Sequence, residues 1–332
     1  MFRLRNSASA ACRLLLPMLS LFAVAQTRVL SAAEDDANGM LARMYASIDT
    51  LDYQGSFVYA RDGQIDTLRI FHAGGEGAER ERLLSTSGAR SEIVRSGDSI
   101  TLLQHDSGAV VFPNRRGTRL LPLVPDIRGE RFNAHYRLKE GGDDRVAGYR
   151  ARVVDIVPRD AWRYGYRLWL EESSGMPLRS AVVDARKHPL EQFMFVALEL
   201  GVRPKESDLA PTVTTGATTS PTDTPFDGEP RWRVVHPPPG YRFVRAQHST
   251  QDTRHGEHLT YSDGLANVSV YVEPHDRAAT IAPDRFTARG VLGISVHDTA
   301  AWRVTVLGDV PRATAERMAS SVQAVTVPTA GR

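Results

Sequence analysis

The chain has 332 residues, 42% of them apolar and 24% charged, a globular composition too long for one core of ordinary size and therefore read as two domains. The formal net charge of +2 supplies no field of the kind that marks a nucleic-acid binder or an acidic solvating tail. Only Lys139, Lys187 and Lys205 among the cations are lysines, a bias that fits a GC-rich genome and carries no functional weight.

Arg3, Arg5 and Arg13 precede an apolar run from Leu14 to Val24 that ends in Ala23-Val24-Ala25. This is the pattern of a secretory signal peptide over residues 1–25, with a second small-residue cleavage site at Ser31-Ala32-Ala33. Eleven apolar residues are too few to span a bilayer, which needs about 20. The mature chain is expected to be soluble and exported. The single cysteine, Cys12, falls inside the signal segment, so no disulfide, thiolate metal site or cysteine nucleophile is expected after export.

Residues 34–202 read as a large domain. Leu41, Met44, Tyr45, Ile48 and Leu51 form the i, i+3, i+4, i+7 stripe of an amphipathic helix. The period then changes to two, with strands predicted at 55–60, 67–72, 79–84, 91–95, 99–104, 109–113, 150–157, 164–171, 178–184 and 192–200, separated by turn signals such as Asp62-Gly63 and Ser87-Gly88. About ten antiparallel strands are enough to curl into a partial or closed barrel, and the stretch 120–136, with Pro122 and Pro125, is placed as an insertion over an open end. Residues 203–230 are rich in threonine and proline and read as an extended linker. The small domain, 231–326, reads as strands near 241–246, 257–262, 266–273, 290–297 and 301–307, then a helix striped by Ala315, Met318, Ala319 and Val322, with Thr314 as N-cap.

Catalytic patterns are missing. No Gly-x-x-x-x-Gly-Lys-Ser/Thr phosphate loop or Gly-x-Ser-x-Gly elbow is present, and Gly293-Ile294-Ser295-Val296-His297 sits inside a predicted strand. His248, His255, Glu257 and His258 are suitable metal-ligand types, but their spacing fits solvated loop residues better than a metal site. The carboxylate pairs Asp143-Asp144 and Glu171-Glu172 are adjacent in sequence and do not converge on a bond as an acid and base would. Neither a cofactor nor an enzyme activity is expected.

What remains is aromatic surface. Phe57, Tyr59, Phe71, Tyr164, Tyr166, Trp169, Phe193 and Phe195 lie on successive strands. They fit an ordinary sheet core, and equally one wall of a concave site for an acyl chain, in which case Phe57, Tyr59, Phe71, Tyr164, Tyr166, Phe193 and Phe195 are the ligand-binding candidates. In the small domain Trp232, Tyr241, Tyr261, Trp302 and Arg317 are chosen on chemistry and placement as the partner-binding candidates.

Several strings then point to a family. Gln54-Gly55-Ser56-Phe57-Val58-Tyr59, Gly88-Ala89-Arg90-Ser91-Glu92-Ile93-Val94-Arg95, Arg145-Val146-Ala147-Gly148 and Pro158-Arg159-Asp160 resemble the larger domain of the RseB/MucB family. Pro238-Pro239-Gly240-Tyr241, Leu259-Thr260-Tyr261-Ser262-Asp263-Gly264-Leu265 and Gly308-Asp309-Val310-Pro311 resemble its smaller domain, in the same order. The resemblance implies an α+β, mainly antiparallel fold: a large half-open barrel with helices, similar to the lipoprotein carriers LolA and LolB, and a small sheet-and-helix domain. It also implies a negative regulator of the sigma-E envelope-stress response, which binds the periplasmic domain of a membrane-spanning anti-sigma factor and shields it from site-1 protease. Lipopolysaccharide or another acylated amphiphile is implied as the competing ligand. A periplasmic lipid or lipoprotein carrier is the alternative, nucleic acid is not expected as a partner, and homo-oligomerisation is left open.

Overall fold

The structure is a computed structural model and describes residues 37–75, 79–97, 99–104, 108–113, 119–125, 127, 132–212, 217–219, 229–249, 256–274 and 284–325. The expected signal segment, residues 213–216 and 220–228 of the predicted linker, and His255 lie outside these residues. Helix α1 (37–50) is the predicted amphipathic helix, and Leu41, Met44, Tyr45 and Ile48 are all buried on one stripe. Each such side chain taken from water contributes about 1.5–3 kcal/mol.

Strands β1 (Tyr53–Arg61), β2 (Gln64–Ala73), β3 (Arg80–Ser85), β4 (Ser91–Ser96), β5 (Ser99–Gln104) and β6 (Gly108–Pro113) form one antiparallel meander. After the short helix α2 (Phe132–His135), strands β7 (Tyr136–Val146), β8 (Tyr149–Pro158), β9 (Gly165–Glu171), β10 (Pro177–Val183) and β11 (Pro189–Leu200) form a second. Antiparallel pairing of β1 with β11 fuses the two meanders into one open sheet. Helix α3 (Glu206–Leu209) follows, and β12 (Ala217–Thr219) adds a parallel strand at the β6 edge, completing twelve. The mainly antiparallel architecture matches expectation.

Strand β7 is an addition to it. Its Gly141-Gly142-Asp143-Asp144 reads locally as a turn, yet a register shift between Glu140 and Gly142 absorbs the glycines as a bulge. Charges along an edge strand are a usual guard against pairing with another chain. On the outer face, the first residues of the predicted linker pack as structure: Leu209 of α3 joins Phe71 and Ala73 in a small apolar cluster. Thr212 binds Glu92, which Arg82 meets at 2.8 Å.

Helix α1 and the segment 119–127 cover the inner face of the sheet. Tyr45 donates from its hydroxyl to the Pro125 carbonyl at 2.7 Å and accepts the Ile127 N–H at 2.7 Å. Ser180 of β10 donates to the Leu123 carbonyl at 2.6 Å. The expectation of a covering insertion is met by these contacts.

The second sheet has the order β14 (Arg242–Ser249), β15 (Gly256–Ser262), β16 (Asn267–Pro274), β19 (Trp302–Asp309), β18 (Leu292–Asp298), β17 (Arg285–Arg289). Strands β13 (Trp232–Val234) and β20 (Val322–Ala324) pair separately. Helix α4 (Arg312–Ser320) buries Ala315, Met318 and Ala319 against the sheet. The strand predicted at 290–297 is β18, and β17, which the sequence reading lacks, precedes it across a turn in which Gly290 adopts φ +60°. Pro311, not Thr314, is the N-cap of α4, and Thr314 is buried one turn inside. Among the described residues no helix is long and apolar enough to cross a membrane.

One polar cluster is buried beneath α1. His72 stacks on Tyr53 at 4.7 Å, donates from Nδ1 to the Leu51 carbonyl at 2.7 Å and meets Glu79 through Nε2 at 2.9 Å, while Arg95 bridges Glu79 at 2.6 Å and Glu81 at 2.9 Å. Burial opposes the Glu79 charge, but hydrogen bonds from Arg95 and His72 outweigh it and hold its carboxyl at about 2, against an ordinary 4.5. A depressed carboxyl stabilises the fold above its unfolded value and loses that contribution as pH falls from 4.5 toward 2. Glu79→Gln is therefore expected to cost about 2 kcal/mol at neutral pH and to flatten the melting temperature between pH 4.5 and 2, as read by thermal denaturation at stepped pH.

Candidate functional site

The inner face is not completely filled. A cavity of about 380 Å³ opens between the sheet and the covering segment, walled by Phe57, Tyr59, Leu68 and Leu83 from β1–β3 and closed by Leu120 and Pro122. Ser85, Ser87 and Ser91 add hydroxyls to its wall, at the β3–β4 turn. Beneath Phe57 lie Phe193 and Phe195, with ring centroids 5.8 and 5.6 Å away and edge-on. The pairing Phe57 to Phe195 and Tyr59 to Phe193 across β1 and β11 puts these four rings on one face. An apolar wall with hydroxyls at one side is suited to the acyl part of an amphiphile, and the volume falls within the usual range for small-molecule sites.

A second constellation joins the two sheets. Arg163, in the loop before β9, and Asp263, in the turn after β15, meet at 2.7 Å with both side chains 0% exposed. The same Asp263 oxygen accepts the Tyr136 hydroxyl at 2.9 Å, and its other oxygen accepts the N–H groups of Leu265 and Ala266 at 2.9 and 2.8 Å. Arg163 spends its remaining donors on Asp160 at 2.9 Å and the Pro239 carbonyl at 2.5 Å, and its guanidinium lies over the rings of Tyr136 and Tyr241. Burial, then the neighbouring Asp263 charge, pushes the hydroxyls of Tyr136 and Tyr241 well above the ordinary phenol value. Gly240, at φ +91°, lies so close to the His135 ring that a Cβ would overlap it. The Trp162 carbonyl accepts Thr314 Oγ1 at 2.7 Å and the Tyr241 hydroxyl at 3.3 Å, drawing α4 to the large sheet.

Both parts of the chain match known proteins. The model of the MucB/RseB N-terminal domain matches residues 36–213 and that of the MucB/RseB C-terminal domain matches residues 227–323. The chain belongs to the MucB/RseB family. It is 34% identical to the sigma factor AlgU regulatory protein MucB of Pseudomonas aeruginosa, covering 93% of this chain and 96% of that one. It is 26% identical to the sigma-E factor regulatory protein RseB of Escherichia coli, covering 88% and 92%. Among solved structures, the Pseudomonas aeruginosa MucA/MucB complex aligns with a TM-score of 0.70 at 31% identity, over 88% of this chain and all of that one. MucB solved alone aligns with a TM-score of 0.60 at the same identity, over 88% of this chain and 98% of that one.

Within this MucB/RseB chain the candidate residues part company. Phe57 and Tyr59 line the cavity, whereas Phe193 and Phe195 do not reach it and pack behind Phe57 in the core. Tyr166 and Tyr164 sit toward the small domain, and burial, followed by carboxylates that include Asp309, raises both hydroxyls. Phe71 is misplaced by the sequence reading: it pairs with Gln54, one step out of phase with Phe57, so it faces the outer side against Leu209. Tyr241 and Tyr261 are buried rather than displayed. Tyr241 belongs to the domain seam, and the Tyr261 hydroxyl accepts the Val234 N–H at 2.9 Å inside the small core. Trp232 and Trp302 are half-buried and pack edge-on at 4.7 Å, and Arg317 lies over the Trp162 ring while donating to the His236 carbonyl at 3.0 Å. His258 is taken up by Ser269 and a stacked Tyr271, and Glu257 by Arg231. Arg163, Asp263 and Tyr136 went unnoticed, because their partners are about 100 residues away in sequence.

Removing one member of a fully buried ion pair leaves the other uncompensated, at about 3–5 kcal/mol. Asp263→Ala is expected to cost that much and to split the calorimetric unfolding of the chain into two transitions, one per sheet, where the unaltered chain shows a single one.

Proposed function

We propose that this MucB/RseB family member is a periplasmic regulator without catalytic activity. It binds the periplasmic domain of a membrane-spanning anti-sigma factor, shields it from site-1 protease and so keeps a sigma-E-type envelope-stress response off. The carrying observation is the alignment of both domains with MucB in complex with MucA at a TM-score of 0.70 and 31% identity. A second complex, MucB with MucA(peri), aligns at 0.69, and MucB alone at 0.60 with equal identity. The seam around Asp263 supports the same reading, since it holds the two domains in one arrangement.

Relief by an acylated amphiphile, lipopolysaccharide included, is the second half of the proposal, and the cavity at Phe57 and Tyr59 supports it. An amphiphile releases the partner only if it prefers the partner-free form, and a ten-fold release corresponds to about 1.4 kcal/mol of coupling. On the partner side the half-buried Trp232 and Trp302 pair is the proposed anchor, because tryptophans in such settings dominate interface energetics. Export by the segment 1–25, with processing as late as 33, completes the reading.

The test is cleavage of the anti-sigma periplasmic domain by site-1 protease with stoichiometric chain, with and without lipopolysaccharide. Protection relieved by lipopolysaccharide is expected. Protection that lipopolysaccharide leaves intact would remove the sensing half, and absence of protection would favour a lipid carrier. Trp302→Ala is expected to lower partner affinity by roughly 30-fold, about 2 kcal/mol, as measured by titration calorimetry, while far-ultraviolet circular dichroism stays unchanged.

A further inference from the structure

The cavity and the small domain touch through one carboxylate. Glu191, at the start of β11, is 5% exposed and uses its two oxygens in two directions. Oε2 accepts the hydroxyl of Tyr59, whose ring is part of the cavity wall. Oε1 accepts the N–H of Val291 at 3.1 Å, in the two-residue turn between β17 and β18 of the small domain. The seat is tight: a Cβ on Gly290 would overlap Glu191 Oε1 and Arg61 Cγ, and the Gly290 N–H reaches Asp62 Oδ2 at 2.7 Å. Arg61 lies over the Tyr59 ring, 5.7 Å from its centroid. Asp309, paired with Leu292 just beyond the turn and exposed at the surface, brings a second carboxylate nearby, and desolvation and then the Glu191 charge raise its carboxyl above the ordinary value.

A buried carboxylate is stable only while its oxygens are satisfied. Tyr59 supplies one of the donors to Glu191, so the hydroxyl that borders the cavity also helps to hold the charge on which the small-domain turn rests. We propose that Glu191 is the positioning residue that couples the cavity to the small domain: an acyl chain that presses the Tyr59 ring aside withdraws one donor from Glu191 and loosens the Gly290–Val291 turn. The inference rests on the amphiphile reading of the cavity and adds to it the path by which an occupant is felt at the domain seam. Linkage requires the converse as well, since a firmly seated turn holds Tyr59 against the occupant by the same factor.

Two cysteine labels read the domain arrangement. In a Cys12→Ser background the chain has no other thiol, so Val196→Cys on β11 and Val244→Cys on β14, each 56% exposed, define a single inter-domain distance. Saturating laurate or lipopolysaccharide is expected to shift that distance in the otherwise unaltered chain. Tyr59→Phe keeps the ring and loses the donor, so it is expected to show the shifted distance already, with no further response to laurate. Glu191→Gln retains an acceptor for Val291 and a donor for the Tyr59 oxygen, and is expected to restore the response that Glu191→Ala abolishes. Ser91→Trp, which fills the cavity from its own wall, is expected to shift the distance without any probe. A Tyr59→Phe chain that responds like the unaltered one, or a Ser91→Trp chain with an unshifted distance, would overturn the coupling. If laurate and lipopolysaccharide fail to bind while Ser91→Trp still shifts the distance, the amphiphile reading fails and the coupling stands. If they bind and the distance stays fixed, the coupling fails and the amphiphile reading stands.

Discussion

Two charges placed completely out of water are expensive, and the Arg163–Asp263 pair is 0% exposed on both sides. Desolvation of such a pair is recovered only when every remaining donor and acceptor is used. Here every nitrogen and oxygen of the pair has a partner: Tyr136 and two backbone N–H groups join Arg163 on Asp263, while Asp160 and the Pro239 carbonyl meet the other two nitrogens of Arg163. The partners come from the large domain (Tyr136, Asp160, Arg163) and from the small one (Pro239, Asp263). Satisfying the pair therefore specifies one docking of the domains, because a rotation that broke any of these bonds would leave a charge buried and short of partners. The close fit of Gly240 on His135 and the convergence of Thr314 and Tyr241 on the Trp162 carbonyl depend on that docking.

The large sheet meets a different constraint. A twelve-stranded open sheet exposes far more apolar surface on one face than a single helix can cover. Helix α1 and the 119–127 segment divide the work, pinned to each other by Tyr45 and to the sheet by Ser180. The part they leave uncovered, around Phe57, Tyr59 and Leu68, is the cavity. Its position is thus a consequence of how the cover is anchored at the other end of the face, and Phe57 in its wall is backed by the edge-on packing of Phe193 and Phe195 in the core.

Much of this was legible from periodicity. The α1 stripe, the alternating runs of the large sheet and the apolar stripe of α4 each report which face is buried, and that is all that a local pattern has to encode. Phe71 was misread because alternation fixes relative faces only within a strand, and the bulge near Phe57 and the β1–β2 pairing set the phase between strands. Strand β7 was missed because its glycines serve a bulge and resemble a turn. Thr314 was taken for a cap since its hydroxyl is of the right kind, but it serves a carbonyl in the other domain instead. The seam residues left no local trace at all: Arg163 and Asp263 look like ordinary loop charges until the fold brings them together. The family strings around Tyr261-Ser262-Asp263-Gly264 and Pro238-Pro239-Gly240-Tyr241 do contain the seam's small-domain half, and their chemistry becomes intelligible only beside Arg163.

The two places where the domains meet are unequal, and the inequality has a mechanical consequence. The Asp263 cluster is sealed from solvent and multiply bonded, so it resists opening. At the Glu191 contact only two backbone N–H groups hold the turn, Val291 on Glu191 and Gly290 on Asp62, and Glu191 already has a second carboxylate beside it. On the proposed coupling a perturbation at the seam yields at Val291 before it yields at Arg163, so that the small domain would pivot about the sealed cluster without detaching from the large one. A pivot suits a regulator better than dissociation. Changing affinity ten-fold requires only about 1.4 kcal/mol, less than breaking a buried charge pair and comparable to the net worth of one hydrogen bond to a charged group. The Tyr59 hydroxyl is a bond of that size, and it stands at the wall of the cavity.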